Sequence, residues 1–140
     1  MIVRRIAPVV FVVILAWTAS CGRTDDRDVE LMSVAQARRL WSAQQGKSTQ
    51  ATLFLDARSR DEFMTGHIPG AQNFTLADAA KVGATSSARS ADKVIIYGPD
   101  PASPAALGLA KRLMSQGVDD VYLMQGGLLR WRTNGGELEK

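Results

Sequence analysis

The chain carries one cysteine, Cys21, and one histidine, His67. Nucleophilic catalysis needs an activated thiolate, hydroxyl or amine with a base to take its proton. Cys21 lies about nine residues before the stretch that reads as folded, and His67 is the one histidine, so a Cys–His catalytic pair gets little support. Ser103 has no base near it in sequence and reads as a helix N-cap before it reads as a nucleophile. Asp56 and Arg58 close an apolar, strand-like run, a place where α/β proteins collect functional groups. With Glu62 they are read as an ion-pair network tying a strand to the next helix. No Cys, His, Asp or Glu cluster has metal-ligand spacing, so neither a metal nor a cofactor is expected. Asp119-Asp120 reads as solvated.

The most suggestive position holds the least chemistry. Val94 to Tyr97 is a continuous apolar run, the mark of a strand buried on both faces. From Ala106 the apolar positions Ala106, Leu109, Ala110 and Leu113 fall on one helical face. Between them lies Gly98-Pro99-Asp100-Pro101-Ala102-Ser103-Pro104. Anions and catalytic groups gather in such strand-to-helix loops, yet this one has no Cys, His, Lys or Arg. Its three prolines have no N–H to offer and bias Asp100 and Ser103 towards extended backbone. Pro104 suits the first turn of a helix capped by Ser103. The loop is stiff and short of donors.

The remaining elements follow from caps and periodicity. Ser33 to Gln36 and Ser59 to Glu62 are capping boxes. The first opens a helix with Val34, Ala37, Leu40 and Trp41 on one face, ending before Gly46; the second opens a short helix through Met64. Thr52 to Leu55 is a buried strand. Gly66-His67-Ile68-Pro69-Gly70 is a rigid turn, in which His67 is read as structural. Residues 75–92 are read as a weak helix and a surface loop. A helix over 104–116 stops at Gly117. Val121 to Leu123 is a last strand, and Gly126-Gly127 turns into a short helix carrying Leu128 and Trp131, the latter expected to pack inside. Alternating strands and helices predict a single α/β domain, its sheet largely parallel with helices on both faces.

The first residues stand apart. Arg4 and Arg5 precede an apolar run from Ile6 to Ala16, then small residues before Cys21. This is the pattern of a secretory signal peptide, and the run is shorter than the roughly 18–20 residues of a membrane-spanning helix. It resembles a bacterial lipoprotein signal, in which the cysteine is lipidated and becomes the mature N-terminus, although Thr18 stands where that pattern prefers leucine. The domains expected are a signal peptide at 1–20, a polar tether at 21–29 and a folded domain at 30–140. Removing Arg4 and Arg5 from the formal +3 leaves 15 basic against 14 acidic side chains, so no nucleic-acid footprint is expected.

Four stretches in this order resemble the rhodanese-like family: LDARSRDEFMTGHIPGAQNF at 55–74, KVIIYG at 93–98, AKRLMSQGVDDVYLMQGG at 110–127 and LLRWRTNG at 128–135. The resemblance implies the small rhodanese-like α/β fold. It marks Asp56, Arg58, Glu62, Gly66, His67, Pro69, Gly70, Gly126, Gly127 and Trp131 as structural motif positions. It also implies sulfur chemistry on a cysteine after the strand matching 94–97, in a Cys-x-x-x-x-Arg loop that curls N–H groups around an anion. Aligned from the strand, those two positions are Gly98 and Ser103. Aligned backwards from the helix, they fall near Asp100 and Ala105. Neither alignment supplies the cysteine or the arginine, and Asp100 puts a negative charge where the family holds an anion. Residues 98–104 therefore read as a former active-site loop. The expected function is a non-catalytic binding module for an envelope protein or a ligand, lipid-anchored on the exported side of a bacterial membrane. The rival is a sulfurtransferase that uses a non-standard or partner-supplied cysteine.

Overall fold

The two apolar strand runs Thr52–Asp56 and Lys93–Tyr97 lie side by side at the centre of a five-stranded sheet. The structure is a computed structural model and describes residues 28–45 and 52–140. The expected signal segment, Cys21, the tether as far as residue 27 and Gly46 lie outside the described residues. The elements in order are β1 Glu30–Met32, α1 Val34–Gln44, β2 Thr52–Asp56, α2 Arg60–Thr65, β3 Gln72–Asn73, α3 Leu76–Val82, α4 Ser86–Ser90, β4 Lys93–Tyr97, α5 Pro104–Ser115, β5 Val121–Met124 and α6 Gly127–Thr133. The sheet order is β1-β5-β4-β2-β3. Every pairing is parallel, and helices cover both faces, as the alternating pattern requires.

Strand periodicity divides the core in two. Leu53 and Leu55 of β2 and Val94 and Ile96 of β4 face α3, α4 and α5, where Ala106, Leu109, Ala110 and Leu113 meet them. Phe54, Ile95 and Tyr97 face the other way, against Val34 and Ala37 of α1 and Leu128 and Trp131 of α6. Both central strands are thus apolar on both sides, which is why they read as unbroken apolar runs.

Three expectations need correction. Val29, placed in the tether, is buried in the first core cluster, so the packed unit starts at least one residue earlier than Glu30. Two strands are additional to those expected, β1 and β3. Each has only two or three residues, too few for a pattern, and exists because β5 and β2 offer it a backbone to pair with. Residues 75–92 form two helices, with Thr75 and Thr85 side chains capping Asp78 and Ala88 amides.

Candidate functional site

The carboxyl ends of β2, β4 and β5 converge beside the β4–α5 loop, residues 98–104. Ser103 caps α5: its hydroxyl accepts from the Ala106 amide at 3.3 Å, and Pro104 occupies the first helical position. Asp100 is spent within the loop, where its carboxylate accepts the Ala102 amide at 2.9 Å. The loop is also tied to α6. The Leu128 amide donates to the Gly98 carbonyl at 2.9 Å and the Leu129 amide to the Pro99 carbonyl at 3.0 Å. First-turn amides of a helix are the donors that would otherwise meet an anion; here loop carbonyls consume two of them.

Two glycines permit this closeness. Gly127 has φ +55°, and a Cβ there would lie 2.6 Å from the Gly98 carbonyl oxygen and 2.8 Å from the Asp100 nitrogen. Gly98 is buried, and a Cβ on it would collide with the Oγ and Cβ of Ser103. The position that the strand alignment gives to a nucleophile therefore has no room for a side chain while Ser103 caps α5.

At the carboxyl end of β2, where Asp56 pairs with Tyr97 of β4, lies a buried polar cluster. Arg58 Nη2 and Asp56 Oδ2 are 2.6 Å apart, with side chains 7% and 0% exposed. Arg58 Nε donates to Asp56 Oδ1 at 2.9 Å, and Nη2 also reaches the Gly66 carbonyl at 2.8 Å. Burial works against the guanidinium charge, but the hydrogen bonds and attraction of Asp56 outweigh it and hold Arg58 above its ordinary value. The Tyr97 hydroxyl accepts the Ile68 amide at 3.2 Å. Burial first, then the Asp56 charge, pushes its phenol far up, so Tyr97 stays neutral. Asn73 Nδ2 donates to the Asp56 and Arg58 carbonyls at 3.1 and 2.8 Å. Tyr97 and Asn73 were not singled out from sequence. Each ends a strand flanking Asp56, the only signal they give.

Glu62 departs from its expected role. It is exposed and bonds Ser59, at 3.1 Å from the amide and 2.7 Å from the hydroxyl, so the direct contact is Asp56–Arg58, while Glu62 and Arg58 attract each other only through space. Those Ser59 bonds hold the Glu62 carboxyl below its ordinary value. His67 is buried and stacked on Phe63, with ring centroids 3.6 Å apart. Its Nδ1 lies 3.1 Å from the Phe63 carbonyl and its Nε2 3.2 Å from Glu139 Oε1. Glu139 reaches across to the Gly70 amide at 2.6 Å, fastening the C-terminal segment over the 66–70 turn. The Pro69 carbonyl accepts from Trp41 Nε1 at 2.9 Å. Gly70 has φ +79° with open space around it, so the backbone there, rather than crowding, favours glycine. Gly126 is left-handed at φ +90° before α6. Trp131 is fully buried, edge-on to Trp41 at 5.8 Å, and donates from Nε1 to the Glu137 carbonyl at 2.8 Å.

The described residues contain no group of three or more His, Cys, Asp or Glu able to hold a metal, and no helix long and apolar enough to cross a membrane.

An all-parallel sheet between two helical layers, with a capped strand-to-helix loop after β4 and a buried Asp–Arg pair at the end of β2, defines a small α/β domain. The rhodanese-like domain model matches residues 36–134, and the chain belongs to that family. Among solved structures it is similar to a protein of unknown function from Rhodopseudomonas palustris, described as a possible tyrosine phosphatase. That likeness has a TM-score of 0.68 and 21% identity, and covers 81% of this chain and 87% of the other. A rhodanese-like domain from Anabaena superposes with a TM-score of 0.61 at 24% identity, over 78% and 77% of the two chains. A Bacillus halodurans protein gives 0.64 at 22%, over 81% and 78%. At these identities the structures bear on the fold alone.

Proposed function

We propose that this rhodanese-like domain is a non-catalytic binding module, exported and held by a lipid on Cys21 to a bacterial envelope membrane. One observation carries the non-catalytic reading: the space a side chain on residue 98 would need is filled by Ser103. The chain's one cysteine, Cys21, precedes the first strand by nine residues, and a lipidated cysteine is a thioether that cannot hold a sulfane sulfur. The surface offered to an envelope protein is the loop itself, whose Pro99, Asp100, Pro101 and Ala102 are exposed. Prolines pre-pay part of the ordering cost of such a contact.

The test is an assay of the purified full chain for sulfur transfer from thiosulfate to cyanide and for aryl phosphate hydrolysis. Both reactions, as this fold's relatives perform them, pass through a cysteine thiolate adduct, and neither should turn over. Cyanide-dependent turnover surviving Cys21→Ser would overturn the reading. The anchor is tested by intact mass, which should show loss of residues 1–20 and added acyl mass. Capture from envelope extracts, compared with a chain whose 98–104 loop is replaced by a glycine-serine segment, identifies the partner.

A further inference from the structure

Helices α1 and α6 carry Arg38, Arg39, Arg130 and Arg132 and not one Asp or Glu. Three of these arginines share one surface. Arg130 lines an open cleft of about 450 Å³ with Ser33, Ala35, Asn134 and Pro101 of the 98–104 loop, so a protein bound to that loop would meet it at the margin of this face. Arg38 and Arg39 line the adjoining depression, and Ala35 borders both. The two clefts are joined again where Arg38 donates to the Asn134 and Gly135 carbonyls. No acidic side chain lines either cleft. Among the described residues none of the three arginines is paired with a carboxylate; Asp56 is taken by Arg58 and Glu139 lies against His67, with Asp28 and Lys111 making further contacts. Arg39 and Arg130 are exposed. On a chain whose mature net charge is near zero, this is a local concentration of one sign.

We propose that this α1–α6 face lies against the anionic phospholipid headgroups of the membrane that anchors the protein. The inference rests on the lipid-anchor reading for its geometry. Cys21 is nine residues before Glu30, a span of at most about 30 Å when fully extended. Ser33, at the edge of the basic face, follows only three residues later. The tether therefore delivers the chain to the sheet edge beside this face and keeps the domain close to the bilayer, without fixing which side turns down. Electrostatics selects the side: attraction acts only within a Debye length, about 10 Å at 0.1 M salt. Each arginine at an anionic surface contributes roughly fivefold to partitioning. An anchor reinforced by a basic patch is the two-signal arrangement that makes membrane attachment stable. With α1 and α6 turned to the lipid, α5 on the opposite face of the sheet is directed away from it.

Arginine footprinting with phenylglyoxal on the full chain tests the orientation, read by mass spectrometry residue by residue. The protein is added to vesicles of phosphatidylcholine alone, or of phosphatidylcholine mixed with phosphatidylglycerol. Arg60 of α2 and Arg112 of α5, both exposed, are internal references. On anionic vesicles Arg39 and Arg130 should react several-fold more slowly than the references, and high salt should abolish the difference. Arg39→Gln should cut the protection of Arg130 by roughly fivefold. Equal reactivity of all four arginines on anionic vesicles overturns the proposal, and so does equal slowing on phosphatidylcholine. Protection by polyglutamate with none by anionic vesicles overturns it in favour of an acidic protein partner. Acylation is read from the intact mass of the same sample, so a missing lipid and a face that does not bind give separate results.

Discussion

The side chain of Ser103 occupies the space that any side chain on Gly98 would require. Ser103 stands there because it caps α5, so the cap and an empty position 98 are one arrangement. Gly98→Cys alone should therefore lower the thermal midpoint and give no sulfur transfer. Adding Ser103→Gly should restore part of the midpoint, since glycine at an N-cap costs only a few tenths of a kcal/mol. A single variant as stable as the parent would show that the loop yields easily.

The Asp56–Arg58 pair has its two charges almost sealed from water. Asp56→Ala leaves the guanidinium without its counter-charge and should cost about 3–5 kcal/mol. Chemical denaturation gives the number; a loss under about 1 kcal/mol, the range of an exposed pair, would mean that water reaches Arg58.

Trp131 anchors α6 against Phe54 and Trp41, with centroid distances of 6.2 and 5.8 Å. Trp131→Ala should cost about 3–5 kcal/mol. Trp131→Phe keeps most of the volume and should cost less, while still losing the bond to the Glu137 carbonyl. An unchanged unfolding midpoint for the alanine variant would contradict its burial.

Two capping boxes make the acid limb of stability predictable. Hydrogen bonds from Ser59 hold Glu62, and those from Thr75 hold Asp78, below their ordinary values of 4.5 and 3.8. A carboxyl whose folded value is depressed stabilises the fold above its unfolded value and loses that contribution as pH falls through the folded one. Wild type should lose stability from about pH 4.5 downwards. In Glu62→Gln/Asp78→Asn that slope should be shallower, with amide caps retained at low pH. Identical slopes in pH-dependent melts would assign the acid limb to other carboxyls.

What the sequence by itself determined is local or periodic. Ser33 with Gln36, Ser59 with Glu62 and Ser103 with Pro104 mark helix starts, because those contacts close within three residues. The Thr75–Asp78 box was equally local and was hidden only by its Ala- and Ser-rich surroundings. The central strands showed themselves because burial on both faces leaves nothing polar in the run. Tertiary structure decided the rest. Strands β1 and β3 exist through their partners. Gly98 meets the Leu128 amide, and His67 meets Glu139, only after the chain has folded back on itself. Sequence spacing lets Glu62 join Asp56 and Arg58, but the nearer Ser59 amide and hydroxyl hold its Oε2 and keep the side chain at the helix start. Contacts that close within one helical turn can be read along the chain. Those that pair distant segments are settled by which backbones the sheet brings together.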